Sequence, residues 1–292
     1  MRIVPAACLF VVLTGCSLVR RAEPPGTVSS TAKQLSVASA SPSMNGLLAA
    51  LTPGRARLLV PSLSDAFQPA EVSPVNSAEA YACPANMVLV DGMYCPEVEQ
   101  RCARWLESDG RYAYFRCAEY ARPAKCLASR RALRFCIDRD EYAPSGESLP
   151  ASRQSWTNAA ETCSSLGKRV CLESEYNFAC EGEEMRPYPY GFTRDSDACN
   201  ADRVDIYRAD GMLRDLREGP SGHPRCLSPF GVHNLAGNLE EWTTIDGSDP
   251  QRPAMKGAYW QPSRNHCRAA QTAHDAYYHG DETGFRCCKE SN

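Results

Sequence analysis

The sequence predicts an α+β domain that is rich in disulfides and dominated by irregular structure. All four tryptophans and all thirteen tyrosines lie beyond residue 80, so the apolar core is confined to that part of the chain. Only two segments there have helical periodicity, and the strand-like segments are short. Beyond Glu181, Gly, Pro and Asp are frequent and periodicity fades. Cross-links between cysteines would stabilise so loop-rich a fold.

The first predicted elements are two short strands. The run Met87–Val90 is apolar and is followed by Asp91-Gly92, a dipeptide typical of turns, so a strand ending there is expected. The run Arg134–Ile137 predicts a second strand.

Two helices follow. Ser155 is a good N-cap residue, apolar residues recur at helical spacing from Trp156 to Leu166, and Gly167 supplies a stop. A second helix is predicted from Glu173 to Cys180, because acidic residues favour the first turn of a helix.

The N-terminus is typical of an exported lipoprotein. A basic Met1-Arg2 precedes the apolar run 3–13, which is too short to span a bilayer as a helix and suits an export signal. The run ends in Leu13-Thr-Gly-Cys16, which resembles a lipobox with Cys16 as the lipidated residue. The alternative is an ordinary secretory signal with an incidental cysteine.

Three segments are therefore predicted: a signal peptide at 1–15, a lipidated cysteine and flexible linker at 16–82, and a globular domain at 83–292. The linker assignment rests on a Ser-, Ala-, Pro- and Thr-rich stretch without aromatics. A lipid anchor in the cell envelope is expected, and Ser17 after the lipidated residue favours the outer membrane over the inner one.

The cysteine count agrees with an oxidising compartment. Of sixteen cysteines, Cys8 would be removed with the signal and Cys16 would carry the lipid, which leaves fourteen. That number is even, and no Cys-x-x-Cys pair of the kind found in metal clusters is present, so disulfides are favoured. The formal charge of −3 and the lack of long basic runs argue against a nucleic-acid partner.

Ordered motifs in the globular part identify a family resemblance. They are Ser155-Trp-x-x-Ala-x-x-x-Cys-x-x-x-Gly-Lys-Arg169, Glu173-x-Glu-Tyr-x-Phe-Ala-Cys180, Tyr188-Pro-Tyr-Gly191, Ser228-Pro-Phe-Gly231, Asn234-Leu-Ala-Gly-Asn-x-x-Glu-Trp242, Lys256-Gly-Ala-Tyr-Trp260 and Gly284-Phe-Arg-Cys287. The chain resembles the sulfatase-modifying-factor family of the formylglycine-generating enzyme, whose patterns include "GNVWEW", "RGGSW" and "GFR". The resemblance covers roughly residues 85–288 and implies a C-type-lectin-like α+β fold.

The oxidase activity of that family does not carry over with the motifs. It depends on two cysteines, five residues apart, that bind copper(I), a metal suited to soft thiolates. Gln261 stands where the first of them would be, and the following segment is shortened so that the second is missing. Copper is therefore not expected. Iron is not expected either, because none of the five histidines forms a His-x-x-x-His pair on a predicted helix. The alternative is an oxidase in which Cys267 is the sole reactive thiol.

The resemblance also implies two disulfides, Cys163–Cys287 and Cys180–Cys267, the second of which would make Cys267 inert. The pairing of the ten remaining cysteines stays open: Cys83, Cys95, Cys102, Cys117, Cys126, Cys136, Cys171, Cys199, Cys226 and Cys288. The three C-terminal histidines His266, His274 and His279 could converge on a metal, but solvated or capping roles on loops are favoured over that.

A calcium site is the metal site that the resemblance favours. In the family the Asn-x-x-Gly-Asn turn binds Ca²⁺ through oxygen ligands, and the matching residues are Asn234, Gly237, Leu239 and Glu241. The alternative is that Asn234 and Glu241 only brace the turn by hydrogen bonds.

The predicted function is a non-catalytic binding module on an envelope lipid anchor. Tyr259, Trp260 and Gln261, with the Tyr277-Tyr278 loop, would line what remains of the family's groove, and its ligand would be an envelope protein or a glycan. The rival function is an oxidoreductase acting on a cysteine of a client protein.

Overall fold

The computed structural model describes residues 82–248 and 251–292. The predicted signal peptide, the lipobox with Cys16 and nearly all of the predicted linker lie outside these residues. No helix within the described part of the chain has the length and apolar character needed to cross a bilayer.

The described chain contains two helices and twelve short strands. The helices are α1 (Trp156–Ser165) and α2 (Glu173–Glu181). The strands are β1 (Met87–Tyr94), β2 (Val98–Glu99), β3 (Cys102–Trp105), β4 (Cys117–Tyr120), β5 (Lys125–Cys126), β6 (Arg131–Asp138), β7 (Arg169–Val170), β8 (Glu240–Thr244), β9 (Pro253–Lys256), β10 (Ala270–Gln271), β11 (Thr283–Phe285) and β12 (Cys287–Glu290). This architecture confirms the predicted α+β class with extensive loops.

Two four-stranded sheets organise the domain. One has the strand order β1-β6-β12-β7 and the other has the order β10-β9-β8-β11. Strands β11 and β12 are almost contiguous in sequence but lie in different sheets, so the segment Thr283–Glu290 joins the two. Strand β11 pairs in parallel with β8, and Glu240 lies opposite Thr283 in the register.

The first strand differs from its prediction. The turn expected at Asp91-Gly92 does not form, because β1 continues to Tyr94 and pairs with β6 along its whole length. Gly92 lies opposite Leu133, and a Cβ added there would lie 2.6 Å from a carboxylate oxygen of Glu183. The glycine therefore permits a close approach within a strand, and sheet pairing overrides the local turn signal.

The helices lie close to their predicted positions. Ser155 caps α1 by accepting a hydrogen bond from the amide of Asn158 at 3.1 Å, and Gly167 follows the helix with a φ of +66°. Helix α2 is buried along most of its length, with Tyr176 and Phe178 fully enclosed. The apolar core of the first sheet thus packs directly on α2.

Seven disulfides join the fourteen cysteines of the described residues. The pairs Cys163–Cys287 and Cys180–Cys267 are those that the resemblance implies. The five pairings left open by the sequence are Cys83–Cys136, Cys95–Cys126, Cys102–Cys117, Cys171–Cys288 and Cys199–Cys226. Two of the seven bridges attach to the adjacent residues Cys287 and Cys288 and tie β12 to the chain on either side of β7.

Candidate functional site

The turn 234–241 carries the residues for which the sequence predicted calcium. Glu241 is fully buried at the start of β8, and its two carboxylate oxygens accept hydrogen bonds from Nε and Nη2 of Arg286, both at 2.7 Å. The remaining guanidinium nitrogen, Nη1, donates to the backbone carbonyls of Asp138 and Arg139 at 3.2 Å. The Glu241 carboxylate is thus held in a bidentate, buried ion pair.

A second buried carboxylate, that of Glu141, lies inside the same turn. Its Oε1 accepts from the amide of Leu239 at 3.0 Å, and its Oε2 accepts from the side-chain amides of Asn234 at 3.2 Å and Asn238 at 2.5 Å. Burial, and then the negative charge of Glu241, raises the pKa of Glu141 to about 8. Arg286 therefore neutralises one carboxylate, and Glu141 holds a proton at neutral pH.

This proton makes the stability of the domain depend on pH. Because the pKa of Glu141 is higher in the folded chain than the ordinary value of 4.5, the native state binds the additional proton and its stability falls as pH rises from about 4.5 to 8. In Glu141→Gln this contribution disappears. We therefore expect the free energy of unfolding of Glu141→Gln, measured relative to that of the wild type, to increase by about 2 kcal/mol or more from pH 5 to pH 8.

Urea denaturation of both proteins at several pH values measures this difference. Glu147→Gln is the matched control, because Glu147 is an exposed glutamate on the same loop segment. If the difference in unfolding free energy between Glu141→Gln and the wild type does not change with pH, Glu141 is not the group that binds the additional proton.

A separate cleft of about 550 Å³ lies beside the segment that follows β9. Tyr259 and Gln261, two of the residues that the resemblance assigns to the family's groove, line it together with Phe115, Glu240, Arg264, His266 and Gln271 among others. The backbone around it is unusual, because Ala258 and Asn265 adopt positive φ values of 55° and 41°. The cleft contains charged, amide and aromatic groups within one concave surface, as ligand sites commonly do.

Trp260 does not line this cleft, and that prediction is wrong. Its side chain is fully buried and packs with Ile206 and Leu239, and its indole N–H has no hydrogen-bond partner among the described residues. The backbone bends from Trp260 onward, so the Trp260 ring enters the core cluster, whereas Tyr259 packs against that cluster only in part and Gln261 stays partly exposed. The Tyr277-Tyr278 loop lines a different, smaller cavity with His274 and His279.

The histidines do not converge on a metal. Among the described residues no group of three or more His, Cys, Asp or Glu side chains is arranged to hold an ion. His274 stacks on Tyr278 with ring centroids 3.6 Å apart, and His279 contacts the carbonyl of Tyr277. His266 lines the cleft, and burial, followed by nearby cations, lowers its pKa to about 4, so its ring is neutral at pH 7.

Glu240 is a cleft residue that the sequence reasoning missed. It stands where the pattern "GNVWEW" has its first tryptophan, and it makes no ion pair or hydrogen bond through its carboxylate within the described residues. Burial, and then the charge of Glu282, raises the pKa of Glu240 to about 7. The sequence signal that could have identified Glu240 is this departure from the family pattern, because a carboxylate replaces the apolar ring of a tryptophan.

Comparison with known proteins gives the family. The model of the sulfatase-modifying factor enzyme 1-like domain matches residues 102–291. The chain belongs to the sulfatase-modifying factor family.

Its relatives include two mammalian proteins of the same type. The chain is 27% identical over 157 residues to inactive C-alpha-formylglycine-generating enzyme 2 of Bos taurus, covering 48% of this chain and 50% of that protein. It is 28% identical over 165 residues to the Mus musculus protein of that name, covering 49% and 50%. The chain thus spans about half the length of the curated relatives it matches.

Solved structures of similar fold include CarF and PvdO from Pseudomonas aeruginosa. The match to CarF has a TM-score of 0.47 at 13% identity and covers 72% of this chain and 99% of that one. The match to PvdO has a TM-score of 0.46 at 15% identity and covers 73% and 96%.

The copper chemistry of the sulfatase-modifying factor family does not fit the residues present. Copper(I) would need the two thiolates of the oxidase, but Gln261 occupies the first position and the nearest cysteine, Cys267, is bridged to Cys180. Cys267 is also fully buried. The segment therefore offers an amide where the oxidase has its thiolate pair.

The calcium ligand set expected for this family does not fit the arrangement of the turn either. Both oxygens of Glu241 are engaged by Arg286, so a cation bound to Glu241 would lie against a guanidinium group. Gly237 packs on Asn200, and a Cβ at residue 237 would lie 2.3 Å from the Asn200 carbonyl. In this structure Asn234 and Glu241 brace the turn by hydrogen bonds, which is the alternative that the sequence left open.

Proposed function

We propose that this protein is a non-catalytic member of the sulfatase-modifying factor family that is held on an envelope lipid anchor and uses the cleft beside Tyr259 and Gln261 to bind a partner. The observation that carries the proposal is the replacement of the thiolate pair. Gln261 lies in the cleft at the position of the first catalytic cysteine, and Cys267 is bridged to Cys180.

Three further observations support it. Two relatives have names that describe them as inactive. The lipobox-like residues Leu13 to Cys16 and the fourteen cysteines that follow suit an exported, lipid-anchored protein, in which disulfides form readily. The cleft is lined by Gln261 and Glu240, whose side chains form no hydrogen bond or ion pair with any other described residue. An envelope protein or a glycan would be the ligand, and the outer membrane would be the location.

The loss of catalysis is tested on the full-length lipoprotein purified without reductant. Non-reducing peptide mass mapping should find Cys267 linked to Cys180, and iodoacetamide should modify none of the fourteen cysteines after Cys16. Metal analysis of the same sample should find no stoichiometric copper or iron. An alkylated Cys267 with bound copper, or aerobic oxidation of a cysteine in an added peptide, would establish the oxidase instead.

The binding role is tested with a photo-crosslinking amino acid at residue 261 of the lipoprotein in intact cells. A specific adduct is expected there and not from the same amino acid at Leu166, an exposed residue that lines a different cavity. Equal labelling from both positions, or none from residue 261, would argue against a ligand in the cleft. Radiolabelled palmitate incorporation that is lost in Cys16→Ala would test the anchor.

A further inference from the structure

One part of the cleft presents hydrogen-bond donors for which the described residues offer no acceptor. The Arg264 guanidinium is exposed and lies over the Phe115 ring, 4.9 Å from the centroid, but it forms no ion pair or hydrogen bond there. The side-chain amide of Gln261 is likewise without a partner among these residues. Gln271 uses only its Oε1, which accepts from a backbone amide at 2.8 Å, so its NH2 group is also available to a ligand.

His266 adds a polar ring that no contact among the described residues satisfies. The ring lines the cleft, and its Nδ1 is buried without a hydrogen-bond partner. Nε2 makes no hydrogen bond with a described residue either and is not enclosed in the same way, so it is the nitrogen that a ligand can reach. Because the ring is neutral at pH 7, a proton on Nε2 makes it a donor toward the cleft. Buried polar atoms without a partner are uncommon in folded proteins and call for one, such as a bound ion or ligand.

The other cations near these donors already have counter-ions. Arg268 is bound to Glu181, with its Nη2 and Nε donating at 2.6 and 2.8 Å. Arg194, which donates to the backbone carbonyl of Arg264, is bound in the same way to Asp202 at 2.6 and 2.8 Å. Among the described residues of this region, Arg264 is thus the cation that lacks a compensating charge.

Glu240 is the opposing charge in the cleft. Its carboxylate has no partner among the described residues, and its pKa of about 7 means that it is only partly ionised at neutral pH. It would repel an anion more strongly as the pH rises above 7. An anionic group in the cleft is therefore expected beside Arg264 and His266, and removal of the Glu240 charge should favour its binding.

We propose that Arg264 and His266, together with the Gln261 amide, bind the oxyanion of an acidic sugar. A carboxylate, phosphate or sulfate has acceptor oxygens and a negative charge, which are what the unpartnered donors and the uncompensated guanidinium lack. The planar donors of an arginine match such a group with two parallel hydrogen bonds, and the Phe115 ring below Arg264 keeps the guanidinium in place.

A sugar suits the rest of the cleft better than a peptide does. The amides of Gln261 and Gln271 can both donate and accept, as sugar hydroxyls require, and the half-buried Tyr259 presents an aromatic face to the apolar side of a sugar ring. The edge strand β10, which contributes Ala270 and Gln271 to the cleft, is only two residues long. It therefore offers little backbone for pairing with an added peptide strand.

This inference rests on the proposed binding function and names the ligand class of one subsite. The experiment uses the full chain with Cys16→Ala and four probes at pH 7.5: glucuronate, glucose 6-phosphate, glucose and the capped peptide Gly-Gly-Asp-Gly-Gly. NMR titration measures each Kd. We expect at least one of the two acidic sugars to bind roughly tenfold or more tightly than glucose. The same titration should shift the ring signals of His266 but not those of His274 and His279, which line a different cavity.

Three variants locate the effect. Arg264→Gln should weaken binding of the acidic sugar roughly tenfold or more. Arg101→Gln, which removes the same charge from an exposed position outside the cleft, should change it by less than about twofold. Glu240→Gln should strengthen binding, because the carboxylate is largely ionised at pH 7.5 and opposes an anion. Thermal denaturation checks that the variants are folded, and the contrast between acidic and neutral sugars in the wild type needs no variant.

Four outcomes would overturn the inference: equal affinity for the acidic sugars and glucose, tighter binding of the aspartate peptide than of either acidic sugar, an unaffected Arg264→Gln variant, or weaker binding in Glu240→Gln. If residue 261 still crosslinks a partner in cells while no acidic sugar binds, the cleft keeps its proposed function and only the oxyanion subsite is excluded.

Discussion

Removing the Cys163–Cys287 and Cys171–Cys288 bridges together should destabilise the domain by about 7 kcal/mol, which is about 1 kcal/mol more than the sum of the two single removals. The two bridges close loops of 124 and 117 residues and end on adjacent residues of β12. When one is removed, the other still holds the ends together, so the loop that opens spans roughly ten residues and the expected cost is about 3 kcal/mol.

The second removal opens a far longer loop. With Cys180–Cys267 still in place it spans roughly 30 residues and costs about 4 kcal/mol more, for a total of about 7 kcal/mol. That is comparable with the whole stability of an ordinary domain, so the quadruple Cys→Ala variant should be largely unfolded at 25 °C.

Guanidinium denaturation of the two double variants and the quadruple variant measures the coupling. Removal of Cys102–Cys117, which closes a loop of only 15 residues within one hairpin, together with Cys163–Cys287 is the control, and those two losses should add. If the losses of unfolding free energy for Cys163–Cys287 and Cys171–Cys288 simply add, the two bridges restrict the unfolded chain independently.

Arg286→Met should destabilise the domain by about 3–5 kcal/mol at pH 7, because it leaves the buried carboxylate of Glu241 without its counter-ion. The methionine fills most of the volume, so the loss would be mainly electrostatic. Burial, and then the charge of Asp138, raises the pKa of Glu241, so this carboxylate depends on Arg286 to stay ionised.

Two measurements separate the charge from packing. Lowering the pH to 5 should recover part of the stability of Arg286→Met, because Glu241 can then be protonated. The double variant Arg286→Met/Glu241→Gln should recover part of it at pH 7. A double variant no more stable than Arg286→Met would mean that the guanidinium acts through its bonds to the Asp138 and Arg139 carbonyls instead.

The sequence predicted the helices and the family with little error, since both depend on local or ordered motifs. Ser155 caps α1, and the order of motifs from Ser155 to Cys287 led to the family that the comparison confirms. The strand boundaries were less accurate. Pairing with β6 carries β1 through Gly92, where short-range signals favour a turn.

The site was predicted in part. Placing Tyr259 and Gln261 in the cleft followed from the motif, but Trp260 between them enters the core. Glu240 was overlooked because the shift of its pKa depends in part on Glu282. That residue lies 42 positions further along the chain and is brought close to Glu240 only by the pairing of β8 with β11.

By itself, the sequence determined the fold class, the family and the replacement of the oxidase cysteine by Gln261, since each depends on residue identity at positions fixed by ordered motifs. Only the tertiary structure decided how the other ten cysteines pair, which carboxylate Arg286 neutralises and which carboxylates have no cation partner within the described residues. Those outcomes depend on distances between segments far apart in the chain, and electrostatic energies in a buried site change steeply with such distances.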